Sequence, residues 1–364
     1  MDRRSFLTKA ALPLLLQPAL TIIDSKARGN TTEREPAMSE PTLRIVETNG
    51  IRLNIAEQGK GPVVLLCHGF PESWYSWRHQ LGALAAAGFH AVAPDMRGYG
   101  KSDRPEAIDQ YTLLHLVGDM VGVLDALGAP TAVIVGHDWG ATVAWQAALL
   151  RPDRFRAVIG LSVPFRPRGK VPPTSVMPRT AGAQFYQLYF QEPGVAEAEL
   201  ERDPRATVRN MLHGASGDAP RGGGASAGAG IGMVPRGGGF LQGPGAPATL
   251  PNWLSERDVD FYAGEFQRTG FRGGLNWYRN IDRNWELTAP FAGAPVTVPA
   301  LYIAGDRDMV VAFPGMDQLL TNLKHFVPAL RNKLMLPGCG HWTQQERPAE
   351  VNAAMIGFLR GLPS

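Results

Sequence analysis

The chain has 364 residues, and 36 Lys and Arg against 33 Asp and Glu leave a formal charge of +3. So small a surplus, with no basic stripe beyond the N-terminus, argues against a nucleic-acid partner, while an apolar share of 44% suits a large buried core. Two cysteines exclude a disulfide-built scaffold and a cysteine-rich metal site, and no apolar run nears the roughly 20 residues that span a bilayer, so no stable membrane insertion is expected.

The first segment reads as an address. Arg3-Arg4, then Phe6-Leu7, then a short apolar stretch over 10–16 broken by Pro13 resemble a twin-arginine export signal. The expectation is a periplasmic or secreted protein with the twin-arginine export machinery as a transient partner. Residues 28–40 are polar and aperiodic, so 1–40 are placed outside the fold as signal and linker.

From 41 to 164 the pattern alternates. Apolar runs at 63–67, 91–93, 131–135 and 157–163 predict strands. Between them, 79–88 and 113–128 carry helical spacing, the latter through Leu113, Leu116, Val117, Met120, Val121, Leu124 and Leu127, and 141–150 is apolar nearly all round. Fully apolar strands alternating with helices predict an α/β fold whose parallel sheet is covered on both faces. The rhythm breaks over 165–295, which is aromatic and helical and predicts a cap inserted over the strand ends. Inside it, 13 of the 42 glycines fall between Gly214 and Gly245; the tract 213–247 is expected to be a mobile surface loop, because its composition offers little apolar area to offset ordering entropy. Over 296–364 the core resumes, with strands at 298–304 and 334–336 and a closing helix at 351–359.

The chemistry gathers at strand ends. Gly136-His137-Asp138-Trp139-Gly140 follows one strand and opens a helix, the setting of a nucleophile elbow, whose flanking glycines let the backbone turn tightly and present the middle side chain. That side chain is Asp138 rather than a serine. A carboxylate attacking an acyl group yields an anhydride and gains little; attacking a saturated carbon, it yields an ester and expels a leaving group. The substrate is therefore expected to be an epoxide or an alkyl halide. A helix-capping role for Asp138 is the plain structural alternative. Asp306 and Asp308 follow a later strand as candidate orienting acids, and His341 follows the next as the general base. The backbone amides of Phe70, in His68-Gly69-Phe70-Pro71, and of Trp139 are placed to hold an oxyanion; Pro71 is a candidate for a cis bond. Cys67 and Cys339 are expected to be free thiols. The eight histidines form no metal-spaced pair, so neither a metal nor an organic cofactor is called for. Gly98-Tyr99-Gly100-Lys101-Ser102 ends like a phosphate loop but has Asp95 where the first glycine belongs.

Taken together, 67–77, 136–140, 186–194, 273–280 and 339–344 resemble the epoxide hydrolases of the α/β-hydrolase fold, the hydrolase domain of the mammalian soluble enzymes above all. The similarity runs over about 42–361 outside the glycine-rich tract. It implies that fold, with an inserted helical cap, and an epoxide substrate without cofactor. It also implies Asp138 as nucleophile, His341 as base and Asp308 as its acid, with two cap tyrosines, Tyr186 and Tyr278, holding and protonating the epoxide oxygen. Phenols keep their proton at neutral pH. A dehalogenase with the same nucleophile is the alternative; it requires halide donors in place of the two phenols. Oligomeric state does not follow from these features.

Overall fold

The computed structural model describes residues 40–220, 230–241 and 245–363; Arg3-Arg4 and the rest of the expected export signal lie outside them. An Asn49-Gly50 turn, with φ of 45° and 78°, joins β1 (Thr42–Thr48) and β2 (Ile51–Gln58) into a hairpin. The apolar runs then become β3 (Val63–Cys67), β4 (His90–Pro94), β5 (Ala132–His137) and β6 (Phe155–Leu161). The inserted segment holds a two-stranded ribbon, β7 (Ala183–Phe185) with β8 (Met233–Pro235), among its helices. The core closes with β9 (Ala300–Gly305) and β10 (Leu330–Leu336). Eight strands make one sheet in the order β1-β2-β4-β3-β5-β6-β9-β10. From β4 to β10 every pairing is parallel; β2 runs against both of its neighbours.

The uninterrupted apolar strands are explained by cores on both faces. Val63, Leu65 and Cys67 of β3 enter one core, and Val64 and Leu66 the other. The helices Leu113–Ala126 and Trp139–Leu150 cover the first face; Arg78–Ala86 and Pro348–Arg360 cover the second. Each such side chain contributes about 1.5–3 kcal/mol by leaving water. The parallel strands end level, with Cys67 beside Gly136, Gly136 beside Gly160 and Leu161 beside Ile303. Loops that leave their C-terminal ends therefore converge on one edge, where ligands bind in open parallel sheets.

Two expectations need correction. The insertion contains the β7–β8 ribbon as well as helices. The glycine-rich tract is not a free loop where it is described. Met233 and Val234 are buried, and the Glu199 carboxylate accepts the Phe240 and Leu241 amides at 2.9 Å each. Average composition hid these few apolar residues, which supply the burial that docks 230–241. Residues 221–229 and 242–244 of the same tract lie outside the described residues.

Candidate active site

Asp138 sits between β5 and the helix Trp139–Leu150 with φ 52° and ψ −121°. A non-glycine residue held there marks a strained turn. The flanking glycines make it possible by close approach: a Cβ on Gly136 would lie 2.0 Å from the Gly140 carbonyl oxygen, and one on Gly140 would lie 2.1 Å from that of Cys67. The Asp138 side chain makes no cap hydrogen bond to its own helix, so the capping alternative fails. The carboxylate faces the site instead. Its Oδ1 accepts the Phe70 amide at 2.9 Å, and the neighbouring Trp139 backbone amide also favours its charged form. The two amides expected to face an oxyanion thus bracket this carboxylate. Gly69 clears the space, since a Cβ there would lie 2.4 Å from Oδ1. The Phe70-Pro71 bond is cis.

His341 faces Asp138 from the loop after β10, its Nε2 3.6 Å from Asp138 Oδ2. Its Nδ1 meets Asp308 Oδ1 at 3.0 Å and Ser162 Oγ at 3.1 Å. Asp308 Oδ1 also accepts the Val310 amide at 2.9 Å. Asp306, the other candidate acid, accepts the Gly338 amide at 2.8 Å and thereby ties the β9 and β10 loops together. Burial alone favours a neutral His341 ring; the Asp308 carboxylate and its hydrogen bond, then the Asp138 and Glu72 charges, outweigh it and raise the pKa to about 9. Burial likewise works against the Asp308 charge, and the His341 contact overcomes it, so its pKa falls below the usual carboxylate value. Burial raises the pKa of Asp138, opposed mainly by His341 and His137.

The inserted segment brings Tyr186 and Tyr278 to the same place, their ring centroids 6.0 Å apart. Gln187 Nε2 donates to the Tyr186 phenol oxygen at 3.0 Å, leaving the phenol hydrogen free to be given elsewhere. The Tyr278 ring packs edge-on against Trp139, centroids 5.1 Å apart, and against Phe70 at 5.6 Å. Burial, then the Asp138 charge, holds both phenols above their ordinary pKa, so both keep their protons. A cavity of about 1160 Å³ reaches Asp138 and Trp139, with Val163, Gln187, Val310 and Phe313 among its walls.

Every expected site residue is thus brought to one edge of the sheet. The structure adds a buried layer behind them. Glu72 accepts the Gly69 amide at 2.8 Å and meets His137 Nδ1 at 2.7 Å, and His137 Nε2 meets the His341 carbonyl oxygen at 2.7 Å. Burial would raise the Glu72 pKa; the His137 ring and the Gly69 amide hold it at about 2. Glu72 and His137 stand inside the quoted motifs, but only the fold reveals that they meet. Cys67 and Cys339 are free and buried. At the phosphate-loop look-alike, the Lys101 amide donates to Asp95 Oδ2 at 3.0 Å, and the Trp74 amide to Oδ1 at 3.1 Å. A carboxylate of the chain itself fills that nest.

A family model described as the alpha/beta hydrolase fold matches residues 62–217, and strand order, elbow and residue order agree with that class. Epoxide hydrolase A of Mycobacterium tuberculosis is 51% identical over 89% of this chain and 99% of its own. The mouse bifunctional epoxide hydrolase 2 is 43% identical over 85% of this chain and 54% of its own. Among solved structures, epoxide hydrolase A from Mycobacterium thermoresistibile superposes with a TM-score of 0.81 at 50% identity, covering 89% of this chain and 99% of that one. An epoxide hydrolase from an endophytic Streptomyces gives 0.84 at 48%, covering 88% and 96%. The chain belongs to the epoxide hydrolase family of the α/β-hydrolase fold.

Proposed function

We propose that the protein hydrolyses an epoxide to a vicinal diol in two covalent steps. Tyr186 and Tyr278 donate to the epoxide oxygen. The Asp138 carboxylate attacks a ring carbon from the side opposite the breaking C–O bond. The bonding pair goes to the oxygen, which takes a phenol proton, and a hydroxyalkyl ester of Asp138 remains. His341 Nε2 then takes a proton from water as the water oxygen attacks the ester carbon. The Phe70 and Trp139 amides hold the oxyanion; such a donor is worth about 3–4 kcal/mol. The second alcohol leaves with a proton returned from the imidazolium, and the hydrogen left on the Asp138 carboxyl passes to the phenolate, which restores both the Asp138 anion and the phenol.

The supporting observation is the carboxylate at the elbow, held by the Phe70 amide and lying 3.6 Å from a histidine that has its own carboxylate behind it. The two buried phenols favour an epoxide over an alkyl halide, since a departing halide takes no proton. The test is a single turnover in heavy-oxygen water. The label is expected in the Asp138 carboxyl and not in the diol; label in the first diol refutes the ester.

We also propose export through the twin-arginine route, supported by Arg3-Arg4 and the apolar stretch after them. Fractionation of a bacterial host should find the protein outside the cytoplasm, and Arg3→Lys with Arg4→Lys should retain it inside.

A further inference from the structure

Among the described residues, three that are not glycine have positive φ: Asn49, Asp138 and Ser162. Asn49 belongs to a hairpin turn that favours it, and Asp138 to the elbow. Ser162, at φ 67°, follows β6 and is fully buried. Two contacts to β9 enforce its conformation. Its amide donates to the Ile303 carbonyl at 2.9 Å, and its own carbonyl accepts the Tyr302 hydroxyl at 2.7 Å. The consequence is the position of its hydroxyl, 3.1 Å from His341 Nδ1. Strain held in place by surrounding contacts tends to gather where function needs it.

We propose that Ser162 is a positioning residue for the hydrolytic base: its hydroxyl oxygen shares the Nδ1 hydrogen of His341 with Asp308 and keeps Nε2 aimed at the water that cleaves the ester. His341 Nε2 must be free of hydrogen to act on water, so Nδ1 carries the proton and faces two acceptors. Ser162 also favours the charged form of Asp308. When the ring takes the second proton, both acceptors stabilise the imidazolium. Attack on the epoxide makes no such demand on the ring. The inference rests on the two-step reaction proposed above.

Rapid mixing with excess styrene oxide, followed by quenching and intact-protein mass measurement, resolves ester formation from ester decay. Ser162→Ala should form ester within about twofold of the parent rate and hydrolyse it roughly tenfold more slowly, the loss expected for one hydrogen bond to a charged group. Because the hydroxyl favours the charged ring, its loss should also move the acid limb of ester decay to lower pH. The other titratable groups facing His341, namely Asp138, Asp308, Glu72, His137 and Glu346, are unchanged in the variant. Ser162→Gly relieves the strained backbone and also lacks the hydroxyl, so it should behave as Ser162→Ala does. Parent-like ester decay in either variant, or an unmoved acid limb, overturns the proposal. Ester absent even from His341→Gln overturns the two-step reaction instead, and this inference with it.

Discussion

Replacing Asp308 by Asn keeps the shape of the side chain and removes its charge. The His341 ring is lifted from an ordinary value near 6.5 to about 9, which corresponds to about 3 kcal/mol in favour of the imidazolium. Asp308 is the largest favourable contributor, at 3.0 Å and with no solvent between. Losing it should therefore remove the greater part of that stabilisation, and the imidazolium is the species formed as water attacks the ester. Asn also offers an NH₂ group that favours the wrong tautomer, which in comparable triads slows reaction by about 10⁴-fold. The expected result is ester decay slowed by at least about 10²-fold. Ester formation, which draws on Asp138 and the two phenols, should fall far less. Quenched-flow mass spectrometry measures both, and Asp308→Asn protein should accumulate as the ester during turnover. Equal losses in the two steps, or decay at the parent rate, would refute the assignment of Asp308 to His341.

Three further outcomes are expected. Tyr186→Phe and Tyr278→Phe should each slow ester formation by about 10–10³-fold while leaving decay of a preformed ester nearly unchanged, and the double variant should form none; single-turnover kinetics reads this out. Because burial raises the Asp138 pKa, kcat/KM should fall with decreasing pH through a value above the ordinary 3.9 of aspartate, as a pH–rate profile would show. Glu72→Gln should destabilise the fold by about 3–5 kcal/mol, since it leaves the buried His137 contact without its charge. In the parent, a Glu72 pKa of about 2 against about 4.3 unfolded means that this stabilisation is complete above the unfolded value and is lost as pH falls toward 2; urea midpoints across that range measure it.

What sequence could and could not supply follows from the range of the forces involved. The apolar runs and the Gly136–Gly140 elbow are local patterns, so strands, helices and nucleophile were readable before any fold was known. The choice of Asp308 over Asp306 came from the family resemblance and not from the local pattern, because physically it depends on how β9 and β10 lie side by side; parallel pairing sends Asp306 to the Gly338 amide and Asp308 to His341. The β1 strand gave little signal because it is an edge strand with few buried side chains. Ser162 reads as the polar end of an apolar run, and its left-handed backbone is imposed from β9, 140 residues away along the chain at Tyr302. Glu72 and His137 are polar residues in motifs already crowded with glycine and aromatics, and their partnership exists only once β3 and β5 pair.

These buried charges also explain why one site can perform two opposite tasks. In the free enzyme Asp138 must be an anion, and the His341 ring, charged below about pH 9, lies close enough to keep it so despite burial. Alkylation removes the Asp138 charge. One of the groups that held the proton on His341 has then gone, and the ring's pKa drops toward the neutral form that hydrolysis needs. Asp308 and Glu72 limit the drop, so the ring can still accept a proton from water at the next step. The nucleophile thus switches on its own base by reacting. The acid limb of ester decay should accordingly lie below pH 9, and a limb at or above that value, found by following preformed ester across pH, would mean that the Asp138 charge does not govern the ring.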